Sequence, residues 1–305
     1  MKNLRTKLIG AAILPLVVTP SFGTDLLGLS SDGSRLLRFN TTGIVSLDVP
    51  ISGLSAGDSL VDIDAFFSGD RRLYGLGNSG TLYRIDPSTG AASVNVPNAA
   101  LGSPTAMDFN PAADRLRVFS GDSNFRITPN SGVVTSDGAL GYAGADANAA
   151  ANPNLRAAAY INNVDAPGTT ALYSIDSDLD TLNLHSSGPQ FSVLNTVADL
   201  TLNGGLFDIG DQVGFDVLSP MSGVNLAFLS NGNDLYRINL ANGQLTALGS
   251  VAANVQLRSI AVAVPEASTV WAGAAFATLS VGWILRQRKA NAAVAIPTID
   301  PVSRH

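Results

Sequence analysis

Aspartates are the residues of this chain best placed to do chemistry. Asp62 and Asp64 stand two apart in an alternating run, so both side chains project from one face of a strand. Asp108 and Asp216 occupy the place of Asp64 in two other, similar phrases. If those strands line a common axis, Asp64, Asp108 and Asp216 converge there, and two such carboxylates can act as acid and base on a glycosidic bond. The structural alternative is that each caps a turn or pairs with an arginine such as Arg115 or Arg126, and recurrence at a repeat position favours it. A second collection of oxygens is Asp146, Asn148, Asn152 and Asn154, the hard ligands that calcium prefers. Their spacing matches no EF-hand, and Asp and Asn are ordinary turn formers, so a metal-free turn is the expectation and calcium the lesser reading. Asp176, Asp178 and Asp180 read as a solvated hairpin turn.

Other chemistries are poorly supplied. The chain has no cysteine, which removes disulfides, thiolate metal sites and thiol nucleophiles together. His185 is the only histidine between residues 24 and 264, too few for a Ser-His-Asp or histidine-metal constellation. It stands where other copies of its phrase carry Asp, Asn or Thr, so it reads as a turn residue.

The elements that hold these residues come in repeats. Leu73-Tyr74-Gly75-Leu76 followed by Leu82-Tyr83-Arg84-Ile85-Asp86 recurs, in altered form, from Leu26, Leu116, Leu172 and Leu226. Each copy alternates apolar and polar residues in two runs joined by a Gly/Asn/Asp hairpin. A turn of the Asp-Pro-x-x-Gly kind then leads to a third run. A further apolar run precedes each copy, at 60–66, 106–110, 156–162, 213–218 and finally 258–264. Four strands every 43–56 residues is the pattern of a β-propeller blade. The first copy lacks its inner strand, and the run at 258–264 lacks a blade. Joining them predicts an all-β propeller of five four-stranded blades, closed by pairing of the N- and C-terminal strands. A sixth blade would have to hide in 140–163 or 194–212; a β-sandwich is the alternative fold.

Composition agrees. Residues 24–264 hold eleven arginines and no lysine against twenty-two aspartates and no glutamate, a net charge of −11. Such a field argues against nucleic acid and anionic lipid as partners. Aspartate is poor in helix interiors and good in turns, as a turn-rich β domain needs.

Both ends read as addresses. Lys2, Arg5 and Lys7 precede an apolar run at 8–18, and Ser21-Phe22-Gly23 offers small residues for cleavage after Gly23. Residues 1–23 thus read as a signal peptide, with a retained anchor as the alternative. At the other end, Val264-Pro265-Glu266 precedes a span of seventeen uncharged residues, 269–285, and the basic stop Arg286-Gln287-Arg288-Lys289. The span reaches the lower limit for a transmembrane helix, and the basic cluster would stay cytoplasmic. A disordered tail is expected over 290–305.

This ending resembles the PEP-CTERM sorting signal of Gram-negative bacteria, with Pro265-Glu266 as the motif, though Ala267 replaces its second proline. The resemblance implies an exosortase-type processing enzyme as partner, acting on a chain transiently held in the inner membrane by its C-terminal helix; a plain membrane anchor is the alternative. Residues 25–264 resemble an exported bacterial family known as domain of unknown function 4394. Its most specific stretches here are 73–90, Phe109-Asn110-Pro111 with 114–118, and 137–154. That resemblance implies a propeller-like fold and supplies no catalytic residues. The expected function is therefore a binding or scaffold module on the outer cell surface or in the extracellular matrix, meeting polysaccharide or surface proteins. The alternative is a secreted glycan-active enzyme using the axial carboxylates.

Overall fold

The computed structural model describes residues 24–66, 71–252 and 255–263. Every element there is a strand, and the strands form five sheets arranged as a five-bladed β-propeller. Blade one is built from both ends of this piece: Leu257–Val262 is its inner strand, followed outward by Asp25–Ser30, Arg35–Asn40 and Val45–Pro50. Leu26 lies opposite Val262 and Gly28 opposite Ile260, so the predicted closure is present. The inner strands of blades two to five are Leu60–Ala65, Ala106–Asn110, Leu155–Tyr160 and Val213–Met221. No sixth blade exists among the described residues. Instead, Gly141–Tyr142 adds a strand to the outer edge of blade four, and Thr201–Leu202 with Gly205–Leu206 extends blade five.

Burial explains the ring. The apolar residues form five clusters, each between two adjacent blades: Phe109, Leu116 and Val118 of blade three, for example, meet Tyr74, Leu76 and Leu82 of blade two. A lone twisted sheet of this size could not bury both its faces; stacking radially does so and removes long free edges.

The recurring turn has a tertiary reason as well as a local one. Gly90, Gly132 and Gly243 donate back to the carbonyls of Asp86, Thr128 and Asn239 at 2.9, 2.8 and 2.9 Å, each glycine at positive φ. These turns rest on the outer strand of the preceding blade. A Cβ on Gly90 would lie 2.4 Å from the Pro50 carbonyl oxygen, and one on Gly243 2.6 Å from that of Asp199. Glycine thus serves both the turn and the blade spacing.

The expected cleavage point at Gly23, the motif residues Val264, Pro265 and Glu266, the helix, the basic stop at Arg286, Arg288 and Lys289, and the tail all lie outside the described residues.

Candidate functional site

The axis of the ring gathers the aspartates that the repeat alignment paired. Asp64, Asp108 and Asp216 each offer a carboxylate oxygen, and these oxygens lie within 4.8 Å of one another. All three residues are buried, 2%, 3% and 2% exposed. They neither cap turns nor meet an arginine. Arg126 is held by Asp137 at 2.6 and 2.8 Å, and Arg115 donates to the carbonyls of Ala113 and Asp114.

Their partners are inner-strand amides. An inner strand pairs with its own blade on one side only, which leaves amides on the axial side without a ladder partner. Asp64 accepts from Phe109 of the next blade at 2.8 Å, Asp108 from Tyr160 at 2.9 Å, and Asp216 from Val262 at 2.5 Å. Blades four and one carry Ala159 and Ala261 at the corresponding position, so they send no carboxylate onward. Asp216 and Asp64 compensate: their second oxygens accept the amides of Val217 and Ala65, each at 2.6 Å. Three carboxylates thereby satisfy all five equivalent amides, Ala65, Phe109, Tyr160, Val217 and Val262. Asp62 repeats the device one layer along the axis, accepting from Met107, Ile63 and the Ser259 hydroxyl.

Enclosing so many acids raises their proton affinity. Burial pushes Asp216 up to about 7, partly opposed by the amides of Val262 and Val217, and pushes Asp62 up to about 6. Asp64 rises well above the usual carboxylate range through burial and the Asp216 charge. Asp108 does so through burial and the charges of Asp64 and Asp216. The cluster is a girdle of acids whose proton affinity is raised by burial and mutual repulsion. Five of its six oxygens accept a backbone amide, and its side chains are closed to a substrate of sugar size.

The other sequence candidates are dispersed. Asp146 accepts from Thr196 and Asn148, whereas Asn152 donates to Asp122, and Asn154 donates to Ser177 and Asp178. These side chains brace different neighbours. Asp176 is not a solvated turn residue: it is fully buried and accepts from the Tyr142 hydroxyl at 2.7 Å. His185 is not one either. It is 2% exposed, its Nε2 is 2.9 Å from the Ser174 hydroxyl and its Nδ1 2.7 Å from the Phe191 carbonyl oxygen, and its ring stacks on Phe119. Burial lowers it to about 4, so it is neutral and structural. The strand end that looks exposed in sequence is covered by residues 186–191, which fold back over it.

A fully buried arginine escaped the sequence reading. Arg117 donates to the Tyr160 hydroxyl, Asn124, Asp137 and the carbonyls of Pro189 and Gln190, latching blade three to blade four. The family described as a domain of unknown function (DUF4394) matches residues 35–261. This chain belongs to the DUF4394 family. The match spans all five blades and begins inside blade one, so the ring, girdle included, is the DUF4394 unit. No curated protein matches the sequence. Among solved structures, a chain from the nidogen/laminin complex is similar in fold at 15% identity and a TM-score of 0.51, covering 79% of this chain and 99% of that one. A protein of unknown function from Bacteroides thetaiotaomicron VPI-5482 is similar at 15% identity and a TM-score of 0.46, covering 74% of this chain and 58% of that one. The first of these supports the propeller fold of the DUF4394 domain and nothing narrower.

Proposed function

We propose that this DUF4394 protein is an exported propeller that serves as a binding or scaffold module at the cell surface or in the extracellular matrix, without catalysis of its own. The observation that carries the reading is the engagement of the axial aspartates. The carboxylates suited to glycosidic chemistry are spent on strand amides and buried, so they support a ring and not a turnover site. Export is supported by the two address-like ends, and an exosortase-type enzyme would process the second. Geometry adds to this: Ala263 follows the closing strand directly and donates to the Asp25 carbonyl at 3.0 Å, so a sorting segment would leave the ring with no linker.

Two measurements test the proposal. Mass spectrometry of the mature protein from its native host should find an N-terminus near residue 24 and a C-terminus near residue 264. A polysaccharide panel incubated with the protein should show retention without new reducing ends. Reducing ends that disappear in Asp64→Asn and Asp108→Asn variants, with the fold intact, would establish the glycan-active enzyme instead.

A further inference from the structure

Blades one, two, three and five carry an arginine at the same place in their third strand, namely Arg38, Arg84, Arg126 and Arg237. Three of them are satisfied within the protein. Arg38 meets Asp25 at 3.1 Å, Arg126 meets Asp137, and Arg84 donates to the Tyr74 hydroxyl and the Asn130 side-chain oxygen. Arg237 differs. Its guanidinium lies 5.1 Å from the centre of the Phe228 ring, its Nε is buried without a hydrogen-bond partner, and no acid among the described residues pairs with it. Of the four aligned arginines it is the one whose guanidinium the protein's own side chains do not satisfy.

Arg237 also lines a groove of about 590 Å³ between blades four and five. Ile161 and Tyr173 form the blade-four wall; Asn239, Gln244 and Thr246 stand beside Arg237 on the other. The groove combines a cation, an aromatic ring and several side-chain amides and hydroxyls, within the usual size range of small-molecule sites. We infer that this groove binds a carboxylate-bearing saccharide, a uronic acid unit, with Arg237 holding the carboxylate, Tyr173 covering the ring and Asn239, Gln244 and Thr246 meeting hydroxyls. A planar carboxylate matches the guanidinium fork. A peptide is disfavoured at the groove because the near end of the outer strand of blade five, Gln244 and Leu245, is already paired with Thr201–Leu202, so an extended chain finds no free edge at that end. The inference deepens the binding-module reading and does not need the protein to be exported.

The test uses the full-length chain in detergent and titration calorimetry with a trimer of galacturonic acid, a neutral galactose trimer and tri-aspartate. The uronate should bind in spite of the domain's net charge of −11, because the contact is local to Arg237 and the distant charges are screened at physiological salt, and the neutral sugar should bind at least about tenfold more weakly, as expected for loss of a charge-assisted hydrogen bond. Arg237→Gln should cost a similar factor. Because that change also uncovers Phe228, a second variant guards against misfolding. Thr246→Glu places an acid across the strand pair from Arg237, supplying the partner that Arg38 and Arg126 already have, and should abolish uronate binding while leaving thermal stability unchanged or higher. Equal binding of the neutral sugar, tighter binding of tri-aspartate, no uronate binding, or binding that survives Thr246→Glu would each overturn the assignment. If the Thr246→Glu protein still retains host polysaccharide, the groove assignment fails while the binding-module reading stands.

Discussion

Asp108→Asn separates a structural girdle from any other use of the axial acids. Asp108 accepts one backbone amide, from Tyr160, so an asparagine oxygen can replace it while the new amide group faces the neighbouring carboxylates. At 4.8 Å and an effective dielectric near 20, each ionised pair costs roughly 3.5 kcal/mol, so the wild type keeps protons there. The folded carboxyls titrate above their unfolded value of 3.8. The penalty is therefore absent at low pH, accumulates as pH rises through the folded values, and is complete above them. Asp216, at about 7, lies some 3 units up, equivalent to about 4 kcal/mol withdrawn once it is ionised. Asparagine at 108 removes one of three mutually repelling acids. It removes two of the three pairs and should return up to about 7 kcal/mol at pH 9 and almost nothing at pH 4. Urea unfolding of both proteins at pH 4, 5, 7 and 9, with and without calcium, measures the difference. Parallel stability curves for variant and wild type would refute the girdle account, as would a variant weaker at pH 9 that loses a calcium-dependent stabilisation seen in the wild type.

Three further outcomes are expected. Gly214→Ala should prevent stable ring closure, because its Cβ would sit 2.5 Å from the Ile260 nitrogen and 2.8 Å from the Ser259 carbonyl carbon; circular dichroism melts would read the loss, and a melt close to wild type would count against so narrow an axis. Arg117→Ala should cost about 3–5 kcal/mol, since it leaves the Pro189 carbonyl and the Tyr160 hydroxyl without their Arg117 donor, the Gln190 carbonyl with Asn124 alone, and the buried Asp137 with one arginine fewer; chemical denaturation decides, and a change under 1 kcal/mol would contradict the latch. The His185 ring should stay neutral in NMR titration until about pH 4. Its folded value lies below the unfolded 6.5, so stability is lost as pH falls from 6.5 toward 4, by up to about 3 kcal/mol. A titration midpoint near 6.5 in the folded protein would contradict its burial.

The blade count, the closing strand and the convergence of Asp64, Asp108 and Asp216 were legible because repeats fix register: alternation sets which side chains face the axis, and the same offset in each copy sets their height. The partners of those aspartates were not. Whether a carboxylate meets an arginine, a turn or a neighbouring strand's amide depends on the distance between blades, and no local pattern contains that distance. His185 and Asp176 were misjudged for the same reason. Their strand ends look polar in one dimension, and what meets them, the Phe119 ring and Ser174 hydroxyl against His185 and the Tyr142 hydroxyl against Asp176, arrives from other strands. Arg237 could have been noticed in sequence as one of four aligned arginines, but its lack of an acid is visible only with the blades assembled.

The sequence alone determined an all-β ring of repeated four-stranded units joined end to end, because period-two alternation and turn glycines are short-range physics written residue by residue. Only the tertiary structure decided what its polar residues do, because desolvation and hydrogen-bond partnership are properties of neighbours brought together from distant parts of the chain.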